Sequence, residues 1–122
     1  MNKTMTTIVS NKNNEQVEVT KQVIAGFVSR TQENNGFVSI DIGIETYKDG
    51  ETTVEYVNHI TCGKNASDKF KQFVLGIPKG SKVVIIASVV DSIGKDDKPY
   101  VNRYIDEIDV LYRFNKKTDA AQ

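Results

Sequence analysis

The chain has little of the chemistry that most enzyme and metal sites need: its 122 residues include one histidine, one cysteine, two prolines and no tryptophan. A single cysteine, Cys62, excludes an internal disulfide framework and is typical of a reducing compartment. His59 and Cys62 lie three residues apart in a predicted strand, so alternation puts their side chains on opposite faces. This spacing disfavours a Cys–His dyad or a shared metal site. We therefore expect no enzyme, no cofactor and no metal.

Long apolar runs are also missing. The longest, residues 83–87, has the length of a strand, whereas a membrane span needs about 20 apolar residues. The N-terminal segment lacks the apolar stretch of a signal peptide. With 39% hydrophobic and 26% charged residues, the chain has the composition of one globular domain with a core of its own. We expect a cytoplasmic protein that does not contact a membrane.

The net charge is zero, with sixteen basic and sixteen acidic residues, but the two signs are unevenly distributed. Residues 33–55 carry Lys48 against six acidic side chains, whereas residues 56–104 carry eight basic side chains against four acidic ones. A neutral total argues against non-specific attraction to polyanions, since net charge governs long-range steering. It leaves room for a local basic groove beside an acidic hairpin.

Hydrophobic periodicity predicts a β-protein with one helix. Val38, Ile40, Ile42 and Ile44 alternate with other residues, which is the period of a strand with one buried face. A helical stripe follows later, at Phe70, Phe73, Val74 and Ile77, with Ser67 or Asn65 as the N-cap. The predicted strands cover residues 17–30, 37–45, 52–62, 82–90 and 100–114. Residues 1–16 are interpreted as a flexible N-terminal arm, residues 17–114 as the domain, and residues 115–122 as a disordered C-terminal tail.

The order of these elements indicates a fold. Three strands, one helix and two further strands are the order of the five-stranded OB-fold barrel. We therefore predict an all-β domain in which the helix lies between strands 3 and 4.

Aromatic and basic side chains interleave in a way that suits single-stranded nucleic acid, because bases stack on aromatic faces while Lys and Arg track phosphates. Phe37 lies opposite the aliphatic face of its strand and is expected to point outward, while Phe27 and the helix phenylalanines are assigned to the core. Tyr56 and Tyr104 are further stacking candidates. Phosphate contacts are expected from basic residues of the second half of the chain, among them Lys64, Lys79, Lys82 and Arg103.

Three segments resemble bacterial and phage single-stranded DNA-binding proteins. Residues 55–66, EYVNHITCGKNA, resemble the family's third strand and the start of its helix. Residues 79–85, KGSKVVI, resemble the beginning of its fourth strand, and residues 100–108, YVNRYIDEI, its last strand. The chain as a whole is similar to the single-stranded DNA-binding proteins of lactococcal phages. The resemblance implies an OB fold and binding of single-stranded DNA without sequence preference.

The resemblance also implies roles for individual residues. Tyr56 falls where the family has a stacking tryptophan, Asn58 takes the place of a common basic residue, and Lys64 and Lys79 match lysines that contact phosphates. Cys62 stands where the family often has a stacking aromatic. The acidic tail that recruits replication partners in the bacterial proteins has no counterpart here.

We therefore expect a protein that protects single-stranded DNA during phage replication or recombination, in the host cytoplasm if a phage encodes it. The resemblance implies homodimers or homotetramers, and recombinase or replication proteins are further candidate partners. The main alternative is an OB-barrel protein–protein interaction module without nucleic-acid binding. An RNA or oligosaccharide binder on the same barrel is a second alternative.

Overall fold

The computed structural model describes residues 1–10, 12–63, 66–93, 97 and 99–114; of residues 91–93 and 99 it describes the backbone only. Within these residues six strands and one helix follow one another: β1 (Asn2–Ser10), β2 (Gln16–Asn34), β3 (Phe37–Lys48), β4 (Glu51–Thr61), α1 (Asp68–Leu75), β5 (Lys82–Ile93) and β6 (Pro99–Tyr112). No helix among the described residues is long and apolar enough to cross a membrane.

Strands β2 to β6 close a five-stranded barrel. The long β2 pairs with β5 through residues 20–27 and with β3 through residues 27–34, so one strand belongs to both sides of the barrel. Antiparallel pairs join β3 to β4 and β5 to β6, and a short parallel pair between β4 and β6 completes the ring. This is the arrangement of the OB fold.

The barrel core consists of aliphatic side chains that alternate along the strands. Val38, Ile40, Ile42 and Ile44 are all buried, as their period-two spacing predicts. At Gly26 the backbones of β2 and β3 come so close that an added Cβ would lie 2.2 Å from the carbonyl oxygen of Gly43. A residue without a side chain is therefore required where β2 passes from one neighbour to the other.

The helix lies at the predicted place in the sequence and closes one end of the barrel. Ser67 is the N-cap, and its Oγ accepts a hydrogen bond from the backbone N–H of Phe70 (3.1 Å). Val74 and Ile77 are buried, but Phe73 is exposed, with the Arg113 guanidinium 5.6 Å from its ring centroid. Phe73 therefore does not belong to the core to which its spacing assigned it. Asn65, the alternative cap, lies outside the described residues.

The N-terminal segment corrects the predicted topology. Asn2–Ser10, which we placed in a flexible arm, form β1 and pair with β2 from Asn2↔Ile24 to Ser10↔Gln16. The added strand makes α1 follow the fourth strand of the chain, so the predicted position between strands 3 and 4 is wrong. The physical reason is that the first half of β2 pairs with β5 along one edge only. The backbone N–H and C=O groups on its other edge also need hydrogen-bond partners, and β1 supplies them. The predicted disordered tail, residues 115–122, lies outside the described residues.

Candidate nucleic-acid interface

A phenylalanine ring lies over a glycine on the outer surface of the barrel. Gly43 alternates with the buried Ile42 and Ile44, so its missing side chain would point outward. The ring of Phe27, directly opposite on β2, occupies that space, because a Cβ on Gly43 would lie 2.3 Å from the ring. Phe27 is thus a partly exposed outer residue and not the core residue that the sequence analysis predicted.

The row continues across β4 and out along a hairpin. Tyr56 pairs with Gly43, Val54 with Glu45, and Thr52 with Tyr47, so their side chains share the outer face. Tyr56 is 54% exposed and Tyr47 75%. We call Phe27, Tyr56, Val54 and Tyr47 the aromatic strip. From strand spacings it extends roughly 10 Å across three strands and roughly 13 Å along β3.

The hairpin that carries half of this strip is acidic, yet its carboxylates do not all face the strip. Glu55 pairs with Ile44, and Glu51 pairs with Lys48, which are positions of the opposite face. Glu45 is the exposed carboxylate that shares the outer face with Tyr47 and Tyr56. Alternation therefore puts Glu51 and Glu55 on the side of the hairpin away from its aromatic residues.

Two basic side chains flank the strip. Lys82, the first residue of β5, pairs with Phe27 and is exposed. Arg30 pairs with Asp41 on the same outer face, and its Nε lies 3.5 Å from Asp41 Oδ2. The Arg30 side chain remains 59% exposed, so most of its donors stay accessible. Exposed aromatic faces next to mobile cations can stack bases and contact phosphates at once.

Asp41 also fixes a bulge in β4. The pairing register between β3 and β4 shifts between Ile40 and Ile42 of β3, so Asn58 and His59 of β4 both lie opposite Asp41. The backbone N–H of His59, whose φ is +60°, donates to Asp41 Oδ1 at 2.8 Å. Asp41 is only 7% exposed. The bulge leaves Asn58, a predicted site residue, exposed two residues from Tyr56.

Other predicted site residues lie away from the strip. Phe37 is exposed at the start of β3, six residues and therefore roughly 20 Å from Gly43. Lys79 is exposed in the turn before β5, where the next residue, Gly80, donates its N–H to Val28 O. Lys64 lies outside the described residues.

The predicted pair on β6 is not part of the strip either. Arg103 is half-buried, and its Nε donates to Gln22 Oε1 at 2.6 Å. Tyr104 is partly exposed and lines a separate open cleft of about 480 Å³ between β6 and the start of α1, together with Phe70 and Gly63. Of the predicted residues, the structure therefore brings Tyr56, Asn58 and Lys82 together with the strip.

Sequence reasoning missed Phe27 and Arg30 and gave no role to Tyr47. The available signal was Gly43, a glycine at an outward position inside a strand, which leaves room for a neighbouring ring. Cys62, at a family stacking position, is buried, and burial raises the pKa of its thiol while Lys71 opposes the shift. It offers no surface for stacking.

The described residues contain no group of three or more His, Cys, Asp or Glu side chains arranged to hold a metal ion. His59 is exposed whereas Cys62 is buried, so their side chains do not form a common site. The chemistry available at the strip is that of contact: stacking, hydrogen bonding and charge.

Comparison with known proteins gives a fold. No protein-family model matches the chain, and no curated protein matches it. Two crystal structures of Rim1, described as a mitochondrial single-stranded DNA binding protein from S. cerevisiae, do resemble it. Each match has a TM-score of 0.57 and covers 78% of this chain and 97% of Rim1, at 17% identity for the selenomethionine-labelled form and 16% for the other. At this identity the likeness shows a common fold, the OB-type barrel that the strand pairing describes.

Proposed function

We propose that this protein binds single-stranded DNA without sequence preference through the aromatic strip. The observation that carries the proposal is the exposed row of Phe27, Tyr56 and Tyr47 beside Lys82. Bases stack on Tyr56, Tyr47 and the accessible part of Phe27, while Lys82 and Arg30 contact phosphates. Two observations support this function. The chain shares its fold with Rim1, which is described as a single-stranded DNA binding protein, and its sequence resembles that of such proteins.

The biological role we propose is to cover and protect single strands during replication or recombination. On the sequence resemblance to proteins of lactococcal phages, we propose that it acts in a phage-infected cell, in the host cytoplasm. We propose a binding protein and not an enzyme, acting without a cofactor. Lack of sequence preference follows from the contacts, since every base offers a π-face and every nucleotide a phosphate.

The test is a titration of labelled oligo-dT, followed by fluorescence anisotropy at two or more salt concentrations, with duplex DNA in parallel. Replacing Tyr56 by Ala should weaken binding by roughly 5- to 150-fold, because stacking contributes about 1–3 kcal/mol per base. Phe37→Ala is the matched control, since Phe37 has a similar exposure, 57%, but lies at the start of β3, roughly 20 Å from Gly43. Its affinity should stay within about twofold of the unaltered protein.

Lys82→Gln should make the slope of log affinity against log salt concentration shallower by about the contribution of one phosphate contact. Each phosphate that the protein neutralises releases counterions, and the variant has one such contact fewer. Equal losses at Tyr56 and Phe37 would contradict the proposed location. Absence of binding to any single strand would overturn the function and favour the protein–protein interaction module.

A further inference from the structure

An open pocket of about 340 Å³ adjoins the aromatic strip, at the place where two strands separate. The ladder between β2 and β3 ends with the pair Phe27↔Gly43, so no residue of β2 lies opposite Glu45, two positions further along β3. Lys82 of β5 and the exposed Leu111 of β6 line the opening that remains. We call this opening the fork pocket, and its size suits a single nucleobase.

One wall of the fork pocket is aromatic. The ring of Phe27 lies over Gly43, where an added Cβ would be 2.3 Å from it, and both residues line the pocket. Phe27 is partly exposed. Its ring therefore presents a flat apolar surface to a molecule that enters, and a base can stack on such a surface whatever its identity.

The two charged side chains of the fork pocket are not engaged elsewhere. Glu45 and Lys82 are both exposed, and neither forms an ion pair or a side-chain hydrogen bond with another residue that the structure describes. A carboxylate beside a strip that binds a polyanion opposes binding through like-charge repulsion. The repulsion is offset if the bound strand donates hydrogen bonds to that carboxylate, because bonds to a charged acceptor are the stronger kind.

Guanine is the base whose hydrogen-bond donors match a carboxylate. Its Watson–Crick edge has two adjacent donors, N1–H and the N2 amino group, and the two carboxylate oxygens can accept from both. Adenine and cytosine have an amino group beside a ring nitrogen that is itself an acceptor, and thymine has one N–H between two carbonyl oxygens. On those bases an acceptor would face the second carboxylate oxygen and repel it. In a single strand this edge is unpaired and open to a side chain.

We propose that the fork pocket is a guanine-selective subsite for one nucleotide of a bound single strand. The base stacks on Phe27, its N1–H and N2 amino group donate to the Glu45 carboxylate, and the phosphate of the same nucleotide contacts Lys82. This inference rests on the proposed function and adds a base preference at one position. The other contacts of the aromatic strip stay independent of sequence, and Glu45 becomes the residue that determines the preference.

Nucleobase analogues test the subsite atom by atom. Unlabelled strands of about 10 nucleotides compete with labelled oligo-dT in fluorescence anisotropy. The first strand is oligo-dT, the second carries one deoxyguanosine at its centre, and the third carries deoxyinosine there, which lacks only the N2 amino group of guanine. We expect the deoxyguanosine strand to bind about fivefold more tightly than the deoxyinosine strand, and by at least about this factor more tightly than oligo-dT, because a bidentate contact to a base edge gives discrimination of this order.

Two variants that each lose one negative charge separate the fork pocket from the hairpin as a whole. Glu45→Ala should bind the deoxyguanosine and deoxyinosine strands equally, because the acceptor for the N2 amino group is gone. Its affinity for oligo-dT should be equal to that of the unaltered protein or higher, since repulsion of the phosphates is reduced. Glu55→Ala is the matched control, because it removes the same charge from the opposite face of the hairpin, and it should keep the full preference for deoxyguanosine.

The possible results distinguish this inference from the proposed function. If the unaltered protein binds all three strands with equal affinity, or if the preference for deoxyguanosine survives in Glu45→Ala, the guanine subsite is wrong while binding of single strands stands. If no strand binds at all, both the subsite and the proposed function are overturned.

Discussion

Asp41 is expected to be the most consequential charged residue for stability, although it lies on the outer face of the barrel. Replacing it by Ala removes the acceptor of the His59 N–H (2.8 Å) and leaves that donor beside an empty space. A hydrogen bond to a charged group contributes about 1.5–3 kcal/mol. The ion pair with Arg30 at 3.5 Å adds at most about 1 kcal/mol, since the arginine is 59% exposed. Asp41→Ala should therefore lower the free energy of unfolding by about 2–4 kcal/mol.

Urea denaturation measures this loss as a shift of the midpoint at constant slope. Asp41→Asn keeps an oxygen for the His59 N–H and should lose only about 1 kcal/mol. Asp109→Ala, which removes an exposed carboxylate on β6, is the matched control and should change stability by less than about 0.5 kcal/mol. If Asp41→Ala costs no more than this control, or if the Asn and Ala variants lose the same amount, the role given to the carboxylate is refuted.

Three further outcomes follow from the packing. Gly26→Ala should lower the free energy of unfolding by about 1–3 kcal/mol in urea titrations, because the new Cβ would meet the Gly43 carbonyl oxygen. An unchanged midpoint would contradict the close approach of the two backbones. Phe27→Ala should weaken oligo-dT binding roughly tenfold while the protein stays folded by circular dichroism; undiminished affinity would remove Phe27 from the strip. Burial raises the pKa of the Cys62 thiol, so the native state keeps its proton where the unfolded state loses it, and stability should decline as pH rises from the ordinary thiol pKa through the raised one. Cys62→Ala should make the fall above the ordinary thiol pKa of 9.0 shallower, and equal slopes for both proteins would refute this account.

The barrel itself could be predicted from sequence because its strands have a strong period-two pattern. Val38 to Ile44 form a buried alternation, and Asn35-Gly36 and Asp49-Gly50 mark turns at both ends of β3. Tyr56 and Lys82 could be predicted as site residues because each combines a position on a predicted strand with a side chain suited to nucleic acid, an aromatic ring in one case and a cation in the other. Each of these inferences uses information that is local in the sequence.

The remaining features depend on contacts between distant segments. β1 consists largely of polar and exposed residues, and it forms because β2 offers a free edge. Phe27 is a large apolar residue of the kind usually found in a core. Its ring can lie outside only because Gly43, sixteen positions later, has no side chain. Arg103 was expected in a phosphate groove, but its hydrogen bond to Gln22 required the pairing of β2, β5 and β6 to be known.

The central claim is that single-stranded DNA lies on the aromatic strip, and ultraviolet cross-linking of oligo-dT tests it most directly. Thymine forms photoproducts with side chains that it contacts, and mass spectrometry of the digested complex identifies those residues. The account predicts adducts on peptides that contain Phe27, Tyr47 and Tyr56, which disappear when high salt releases the DNA. Adducts confined to Phe37 or to Tyr104 in the cleft beside α1, with the strip unmodified, would contradict it.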